Sequence, residues 1–260
     1  MSIDFELHGK KALVTGGGQG VGRGICLMLA QAGATVVVND YVAERAQAVV
    51  AEIETLGMSA LSAAFDVTDL TMVADSIDGL GGIDILVNNA GNQGIEPGFG
   101  ELAPFHETSP ADWDKYFAVN TFGVMNCVHA ALPGMIAAKW GRIVTIVSDA
   151  ARNGEPSMAA YGAAKAAAAG FMRCIAHEVG RHNITANNIA LGTMRTPISE
   201  ARWANPDMAE QNKAALRSYV VRRPGNPDDP AWVIAMLASP RSSWITGQTI
   251  PVNGGYTFGL

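Results

Sequence analysis

Short apolar runs rich in β-branched residues alternate with longer amphipathic segments through the first half of the chain. The runs predict buried strands, and the segments that follow them predict helices. Uniformly apolar strands are buried on both faces, and a helix between successive strands makes each connection a right-handed crossover in a parallel sheet. The pattern therefore predicts an α/β fold with a doubly wound sheet. The strands are expected at 12–15, 35–39, 61–65, 83–88 and 142–147, with helices at 22–32 and 43–56.

The length of 260 residues fits one such domain, and the sequence contains no internal repeat or low-complexity segment. We therefore expect a single domain over residues 1–260. Gly, Pro and acidic residues are frequent in 91–111, which indicates a loop over the edge of the sheet. The region 193–230 holds two short helical patterns between irregular stretches, which is typical of a lid over a substrate site.

Composition and charge exclude several classes of protein. Hydrophobic residues make up 48% of the chain and charged residues 16%, which excludes long disorder and a coiled coil. The 24 acidic and 18 basic side chains give a net charge of −6, and no run of Lys and Arg offsets it, so a nucleic-acid partner is not expected. No apolar run in the sequence is long enough to predict a membrane partner.

The cysteines and the amino terminus indicate the compartment. Cys26, Cys127 and Cys174 lie far apart without the paired spacing of a zinc or redox motif, so we expect reduced thiols and no metal site. Asp4 and Glu6 stand where a secretory signal would carry basic and then apolar residues. The sequence therefore predicts a cytoplasmic protein.

A glycine-rich stretch, T-G-G-G-Q-G-V-G, joins the first predicted strand to the first helix. Only glycine lets the backbone turn tightly there, approach a pyrophosphate closely and expose the N–H groups of the helix amino terminus to it. The spacing matches neither G-x-G-x-x-G nor the Walker A sequence. The stretch predicts an anion-binding turn, and the residues expected to bind are Gly16, Gln19, Gly20, Val21 and Gly22.

Asp40 stands at the end of the second strand, about twenty residues beyond these glycines. A carboxylate at this place can accept hydrogen bonds from both hydroxyls of an adenosine ribose, whereas it would repel a 2′-phosphate. Gln19 supplies no compensating cation, and Arg45, one turn into the next helix, is interpreted as a solvated surface residue. The position of Asp40 therefore predicts NAD as the cofactor.

Tyr161 and Lys165 stand four residues apart at the start of an alanine-rich helix, so their side chains share one face. A nearby positive charge favours the phenolate form of tyrosine, which allows proton exchange with an alcohol or ketone nearer neutral pH. Ser148 ends the strand upstream, and the stretch N-N-A-G at 88–91 ends another, both at the carboxyl edge where parallel sheets bind ligands. Tyr161 is therefore the predicted acid/base.

Together, T-G-x-x-x-G-x-G, N-N-A-G, Ser148, Y-x-x-x-K and the tail G-Q-T-I-P-V-N-G-G make the chain resemble the short-chain dehydrogenase/reductase family over nearly its whole length. The resemblance implies a Rossmann-type domain with a seven-stranded parallel sheet flanked by helices. It implies hydride transfer between the nicotinamide and a carbinol carbon, with Tyr161 as acid/base and Ser148 bonded to the substrate oxygen. Lys165 then binds the nicotinamide ribose and lowers the pKa of the tyrosine, and Asn120 holds a water of the proton relay.

The resemblance also implies most of the cofactor contacts. Asp66 and Val67 are similar to the family's adenine contact, and Leu191 replaces the usual proline in the turn after the sixth strand, near the nicotinamide. For Asn88 and Asn89, a structural role in tying adjacent strands together stays open beside a cofactor contact. The residues assigned to the cofactor in this way are Asp66, Val67, Asn88, Ala90, Gly91, Tyr161, Lys165, Gly192, Thr193 and Thr196.

The residues beside these motifs and in the lid mix apolar and polar side chains. We expect a secondary alcohol or ketone on a hydrophobic frame, such as a cyclic alcohol, a steroid or a 3-hydroxyacyl thioester. The residues expected to face it are Gln93, Ala150, Arg152, Asn153, Glu155, Met158, Met194 and Trp203.

Two other interpretations of the sequence stay open. A 3-oxoacyl-acyl carrier protein reductase is one, because Lys139, Arg181 and His182 would offer an acidic carrier a basic patch. A dinucleotide-binding regulator without catalysis is the other, of a different class. In either case the family resemblance implies a homotetramer, to which the small residues of the alanine-rich helix would contribute.

Overall fold

Seven parallel strands form the centre of the molecule, which a computed structural model describes over residues 4–92 and 103–258. In chain order they are β1 (Lys11–Val14), β2 (Thr35–Asp40), β3 (Ala60–Ala64), β4 (Ile85–Asn88), β5 (Gly141–Ser148), β6 (Ile184–Leu191) and β7 (Thr249–Val252). Their order across the sheet is β3-β2-β1-β4-β5-β6-β7. The five predicted strands agree with β1 to β5 within two residues at each end. The doubly wound Rossmann-type fold is therefore confirmed.

Helices cover both faces of this sheet. They are α1 (Gly20–Gln31), α2 (Ala43–Thr55), α3 (Leu70–Gly79), α4 (Pro110–Phe117), α5 (Val124–Ala138), α6 (Ala150–Asn153), α7 (Ala159–Val179), α8 (Pro197–Ala204), α9 (Ala209–Ala215) and α10 (Asp228–Ala238). Of the two predicted helices, 22–32 begins two residues inside α1 and ends one residue beyond it, and 43–56 matches α2 with one further residue. Differences of this size are usual at helix ends, where the chain frays.

The apolar side chains of the strands divide into two cores, one on each face of the sheet. Leu29 of α1 and Ile234 of α10 pack on one face, and Val128 of α5 and Met172 of α7 pack on the other. All four side chains are fully buried, and each is worth about 2 kcal/mol of transfer free energy by its burial. The near-continuous apolar character of the strands is thus explained by helices on both sides.

The stretch Pro110–Ala138 is long and apolar enough to pass a length-and-composition test for a membrane span. It comprises α4, a π-helical turn and α5, and residues such as Cys127, Val128 and Met135 pack against the sheet. Packing inside the domain accounts for the apolar character of that face of α5.

The winding of the chain creates a crevice beside β1. From β1 the chain proceeds outward to β2 and β3, and then crosses to β4 on the other side of β1. The connections that leave the carboxyl ends of β1 and β4 therefore diverge to opposite faces of the sheet. In open parallel sheets, ligands bind at this switch point.

The region 193–230 begins after β6 and contains α8 and α9, in agreement with the two predicted helical patterns. Its two ends are joined by hydrogen bonds from Gly225 N to Thr193 O (2.9 Å) and from Arg195 N to Gly225 O (2.7 Å). It is also joined to the tail by a bond from Val221 N to Gly254 O (2.8 Å). That this region closes over a substrate stays a prediction.

Candidate active site

The glycine loop lies at the carboxyl end of β1 and leads into α1. Gly16 and Gly20 have positive φ angles of 60° and 55°, a conformation that disfavours any side chain. A Cβ on Gly16 would also lie only 3.0 Å from the Cα of Ala90, so the loop and the end of β4 are in close contact. The first turn of α1 contains no acidic residue, and the Gln19 side chain caps none of its N–H groups. The helix amino terminus therefore offers an anion the groups that a pyrophosphate needs.

Three polar side chains hold the loop in place, and the sequence analysis considered such a role only for Asn89. Asn89 Nδ2 donates to the carbonyl oxygens of Thr15 (2.9 Å) and Gly16 (3.0 Å), and Thr15 Oγ1 accepts from the backbone N–H groups of Asn89 and Ala90. Asn39 Oδ1 accepts from Gly16 N over 3.3 Å. A strand-tying role for Asn89 is thus observed. The sequence feature that could have indicated this role for Asn39 is a polar amide in an otherwise apolar strand.

Asp40 ends β2 and is 4% exposed. Its Oδ1 accepts a hydrogen bond from Val42 N over 3.0 Å, and Oδ2 faces the loop, since a Cβ on Gly18 would lie 2.6 Å from it. Arg45 lies closer to Asp40 than we expect of a solvated surface residue. Its Nη1 is 4.0 Å from Asp40 Oδ1, although 41% of its side chain is exposed. The carboxylate is thus held in the crevice beside the glycine loop.

A shallow cleft continues from the loop towards α5. Thr15, Val67, Asn88 and Ala90 line it, and Asn88 Nδ2 donates to Thr145 Oγ1 over 3.1 Å. The Oδ1 atom of Asn88 is buried and has no hydrogen-bond partner within residues 4–92 and 103–258. A buried acceptor without a hydrogen-bond partner destabilises the folded protein. The Oδ1 atom is therefore suited to accept a hydrogen bond from a hydroxyl of a bound nucleoside. Asp66 lies at the outer end, exposed, where its Oδ1 accepts from Thr68 N.

The helix α7, which carries Tyr161 and Lys165, packs beside Ser148 at the carboxyl end of β5. Lys165 Nζ donates to the carbonyl oxygen of Ile146, two residues before Ser148, over 2.9 Å. Gly162, next to Tyr161, packs so closely on α6 that a Cβ would lie 2.9 Å from Ala150 O, two residues after Ser148. The elements that carry the three predicted catalytic residues are therefore packed against one another, α7 on β5 and on α6.

Burial distinguishes these groups from surface residues of the same type. Tyr161 is 6% and Lys165 3% exposed, and the ring of Tyr161 contacts the ring of Tyr116 edge-on, with centroids 6.2 Å apart. Burial lowers the pKa of Lys165 to about 8, because a charged ammonium loses its hydration there. A lysine with a perturbed pKa in a crevice is a mark of a functional site.

Asn120 lies in the π-helical turn Ala118–Gly123 between α4 and α5 and is fully buried. Its Nδ2 donates to the carbonyl oxygens of Asn92 (2.7 Å) and Tyr116 (2.9 Å), and its Oδ1 accepts from Asn92 N (3.2 Å). A Cβ on Gly91 would lie 3.1 Å from Asn120 Oδ1 and 3.2 Å from Lys165 Nζ, so both groups converge on Gly91. Because both amide hydrogens are already donated, a relay water could bind only an oxygen of Asn120.

The turn after β6 is fixed by Tyr219, which the sequence analysis did not identify. The hydroxyl of Tyr219 donates to Thr193 Oγ1 and accepts from Thr193 N, both over 2.9 Å. Gly192 lies against the same ring, since a Cβ would be 3.0 Å from Tyr219 Cε1. Thr196 caps α8 and faces the glycine loop, 3.6 Å from the position of a Cβ on Gly20. Gly192, Thr193 and Thr196 therefore lie at the edge where the cofactor contacts were expected.

The predicted substrate residues occupy different surroundings. Ala150 and Met158 flank Ser148 and Tyr161 along the chain and are half-buried, and Asn153 is exposed. Met194 lines a cavity of about 340 Å³ between the turn after β6 and the tail after β7. Trp203 on α8 is half-buried, with Nε1 lacking a partner in the described part of the chain. The prediction for Gln93 falls outside the described residues.

Two of the residues expected to face the substrate form side-chain hydrogen bonds with other residues of the protein. Arg152 Nη1 donates to Asp149 Oδ1 (3.1 Å) and to Thr257 Oγ1 (3.0 Å), and Glu155 accepts a hydrogen bond from the hydroxyl of Tyr256. Thr257 and Tyr256 lie more than a hundred positions further along the chain than Arg152 and Glu155, so local spacing did not indicate these two pairs. Nη1 of Arg152 and the carboxylate of Glu155 are therefore already engaged within the protein, and their contact with a substrate stays a prediction.

The fold and the site together define a nucleotide-dependent oxidoreductase of the Rossmann type. The family model described as short chain dehydrogenase matches residues 10–207. The chain thus belongs to the short-chain dehydrogenase family.

Relatives named for an enzyme activity match almost the whole chain. A 7alpha-hydroxysteroid dehydrogenase of Escherichia coli (strain K12) is 36% identical over 258 residues, which are 98% of this chain and 96% of that protein. A 3-oxoacyl-(acyl-carrier-protein) reductase of Thermotoga maritima is 34% identical over 255 residues, 96% of this chain and 99% of its own. Both are proteins to which this chain is similar.

Solved structures of similar dehydrogenases also match almost the whole chain. A 7 alpha-hydroxysteroid dehydrogenase complexed with NADH and 7-oxo glycochenodeoxycholic acid has a TM-score of 0.86 and 35% identity, covering 98% of each chain. A gluconate 5-dehydrogenase from Burkholderia cenocepacia in complex with NADP and tartrate has a TM-score of 0.88 and 32% identity, covering 99% of this chain and 98% of its own. Similar proteins therefore bind a nicotinamide dinucleotide, with NADH in one case and NADP in the other.

Proposed function

We propose that the protein transfers a hydride between NAD and a secondary alcohol or ketone on a hydrophobic substrate. The observation that carries the proposal is the packing of α7, with Tyr161 and Lys165, against β5 and α6 beside Ser148, at the same edge of the sheet as a glycine loop that fits a dinucleotide. These side chains supply a hydrogen-bond donor, a proton carrier and a positive charge. Apart from the orientation of substrate and cofactor, hydride transfer to a carbonyl needs nothing further from the protein.

The bound nicotinamide supplies the hydride donor or acceptor. The hydroxyl of Ser148 donates a hydrogen bond to the substrate oxygen and polarises its bond to carbon. Tyr161 gives that oxygen its proton in reduction and removes it in oxidation. The ammonium of Lys165 favours the phenolate form of Tyr161 and binds the ribose. Because burial lowers the pKa of Lys165 to about 8, the charge is present at neutral pH and is lost as the pH rises through that value.

NAD is proposed over NADP because of Asp40. Its buried carboxylate, held by Val42 N, accepts from ribose hydroxyls but repels a 2′-phosphate. Arg45 offsets this repulsion only in part, since its guanidinium is 4.0 Å away and partly exposed, and an ion pair of that kind contributes little. The similar steroid dehydrogenase bound to NADH supports this choice, whereas the similar gluconate dehydrogenase bound to NADP does not.

A cyclic alcohol such as a steroid is the proposed substrate class. Ala150, Met158, Met194 and Trp203 offer apolar surface around and beyond Ser148, and the charges of Arg152 and Glu155 are engaged elsewhere. The similarity to proteins named 7alpha-hydroxysteroid dehydrogenase supports the same class. A 3-hydroxyacyl thioester offers the same secondary alcohol on an apolar chain.

Reduction of a 3-oxoacyl group on an acyl carrier protein is the second candidate, favoured by the similarity to the Thermotoga maritima reductase. The basic residues that would attract the carrier are Lys139, Arg181 and His182. They precede β5 and β6, at the amino edge of the sheet, whereas Ser148 and Tyr161 lie at the carboxyl edge. The length of β5, about 26 Å, separates the two edges, which weakens this candidate.

Assembly and location form part of the same proposal. Ala163, Ala166, Ala167 and Gly170 form an outward stripe of small residues on α7, and Phe122 and Met125 expose apolar surface at the start of α5. A second copy would cover both, as a homotetramer requires. The free thiols of Cys26, Cys127 and Cys174 suit the reducing cytoplasm.

A panel of secondary alcohols and ketones, assayed by NADH and NADPH absorbance, tests the function. The panel includes hydroxysteroids, simple cyclic alcohols and 3-hydroxyacyl thioesters. An enzyme of the proposed class turns over at least one of them with NAD(H). A dinucleotide-binding regulator without catalysis would bind NADH and turn over none, and an acyl carrier reductase would prefer the carrier-bound substrate with NADPH.

A further inference from the structure

A buried carboxylate follows Ser148 directly. Asp149 is 2% exposed. Its Oδ2 accepts from Asn253 Nδ2 over 2.7 Å, and its Oδ1 accepts from Thr257 Oγ1 over 2.9 Å and from Arg152 Nη1 over 3.1 Å. A buried carboxylate is stabilised by such donors. Two of the three come from the tail after β7, more than a hundred positions further along the chain.

The tail is braced against the same region in other ways. Asn253 Nδ2 also donates to Thr257 O over 3.0 Å, and Asn253 Oδ1 accepts from Gly255 N over 3.0 Å. The hydroxyl of Tyr256 donates to Glu155, and its ring stacks on that of Tyr219 with centroids 4.8 Å apart. Residues 253–257 are therefore joined to residues 149–155 at several points.

The segment that follows Ser148 has little structure of its own. Helix α6 comprises only four residues, and a single helical turn is not stable without tertiary contacts. The backbone of Asp149 begins this turn, since its carbonyl oxygen accepts from Arg152 N (2.9 Å) and Asn153 N (2.8 Å). Ser148 Oγ in turn accepts from Ala150 N over 3.2 Å. The direction of the Ser148 hydroxyl thus depends on a turn that Asp149 secures.

We propose that Asp149, Asn253 and Thr257 form a clamp that holds Ser148 and the turn 149–155 against the tail, which makes Asp149 a positioning residue for the reaction. The catalytic part of this inference rests on the proposed function. The structural part, that the clamp keeps the turn ordered, does not, because it concerns the free protein.

Swapping the side chains of Asp149 and Asn253 tests the clamp. Asp149→Asn leaves one acceptor oxygen, which cannot serve both Asn253 on one side and Thr257 with Arg152 on the other, and Asn253→Asp sets two carboxylates together, so each single change weakens the clamp. The double variant restores one donor and one acceptor with their order reversed. Asp84→Asn is the control, since Asp84 is likewise a carboxylate that accepts hydrogen bonds, from Lys10 Nζ and Lys11 N, but lies at the opposite edge of the sheet.

Backbone hydrogen exchange is the first measurement, because it requires no turnover. Amides in 149–155 and 253–257 should exchange at least about tenfold faster in both single variants and recover in the double variant. The control should leave these segments unchanged. If either single variant fails to fold, Thr257→Val removes one donor and should give a smaller increase in the same amides. Unchanged exchange in these segments would overturn the clamp, whatever the activity.

Kinetics with an alcohol from the panel is the second measurement. Asp149→Asn should lower kcat by about tenfold to a hundredfold with an unchanged Kd for NADH, and the double variant should recover most of the loss. A double variant no better than the worse single variant, or a loss confined to NADH binding, would refute the positioning role. If the unaltered protein oxidises no secondary alcohol, the proposed function fails, while faster exchange in the single variants still supports the clamp.

Discussion

Lys165 donates a hydrogen bond to the carbonyl oxygen of Ile146 over 2.9 Å, deep between α7 and β5. Within residues 4–92 and 103–258, no carboxylate lies within 4.0 Å of its ammonium group. A dipole alone compensates poorly for the lost hydration of a charge, which is why burial lowers the pKa of this side chain to about 8 from 10.5. The protein therefore carries a destabilising group at the centre of its proposed site.

We predict that Lys165→Met makes the free protein more stable at neutral pH while abolishing turnover. Below about pH 8 the folded protein keeps a charged lysine in a dry site, so the cost is fully present there. As the pH rises from 8 to 10.5, the unfolded chain binds more protons than the folded one, so this cost fades. The gain at pH 7 should be about 2–3 kcal/mol in the free energy of unfolding, and little should remain at pH 10.5.

Urea unfolding of the cofactor-free protein at both pH values measures this gain. Lys165→Arg is the control, because it keeps a buried charge and should not stabilise. A Met variant that is less stable than the parent at pH 7 would mean that Lys165 is held by interactions stronger than its one hydrogen bond.

Tyr161→Phe should remove the proton carrier and leave the ring. We expect kcat to fall at least about a thousandfold, within the range of general acid–base catalysis, with NADH binding unchanged. Stopped-flow or steady-state NADH absorbance measures kcat, and fluorescence of bound NADH measures Kd. Tyr116→Phe, on the neighbouring ring, should cost less than about tenfold. Substantial turnover by Tyr161→Phe would show that another group carries the proton.

Local patterns in the sequence were sufficient for five of the seven strands and for the shared helix face of Tyr161 and Lys165. The apolar runs define β1 to β5, and Tyr161 and Lys165 face one way because they are one helical turn apart. The grouping of Ser148 with them followed from the edge at which parallel strands end. These features depend on spacing within a few residues.

The residues that hold the site in shape could not be found in this way. Asp149 is bonded to Asn253 and Thr257 from the far end of the chain, and Tyr219 fixes Thr193 from within the lid region. Leu191 replaces a proline in the turn before Thr193, and the two hydrogen bonds of Tyr219 supply restraint there. A polar residue with a distant partner looks in sequence like any other polar residue in a loop.

The proposed preference for NAD is tested at Asp40 and Arg45 together. Asp40→Ala, or Asp40→Ser combined with Tyr41→Arg, should raise the ratio of kcat/KM for NADPH over NADH at least about tenfold, because a repulsion of a few kcal/mol is removed. Arg45→Gln should move the ratio the other way, since the guanidinium 4.0 Å from Asp40 offsets part of that repulsion. Ratios that stay constant across these variants would mean that the ribose is recognised elsewhere.

The outward stripe on α7 leads to a prediction about assembly. Ala163, Ala166, Ala167 and Gly170 recur at the spacing of one helix face, and their small size lets a second helix approach closely. Ala167→Arg would insert a long charged side chain into such a contact and should dissociate it. Ala48→Arg, at an exposed position of α2, is the matched control and should leave the assembly intact. Light scattering at micromolar concentration should give four times the chain mass of 27.2 kDa for the parent and the control, and less for Ala167→Arg. A monomeric parent protein would contradict the expected tetramer, and a tetramer in all three proteins would exclude this face of α7 from its interfaces.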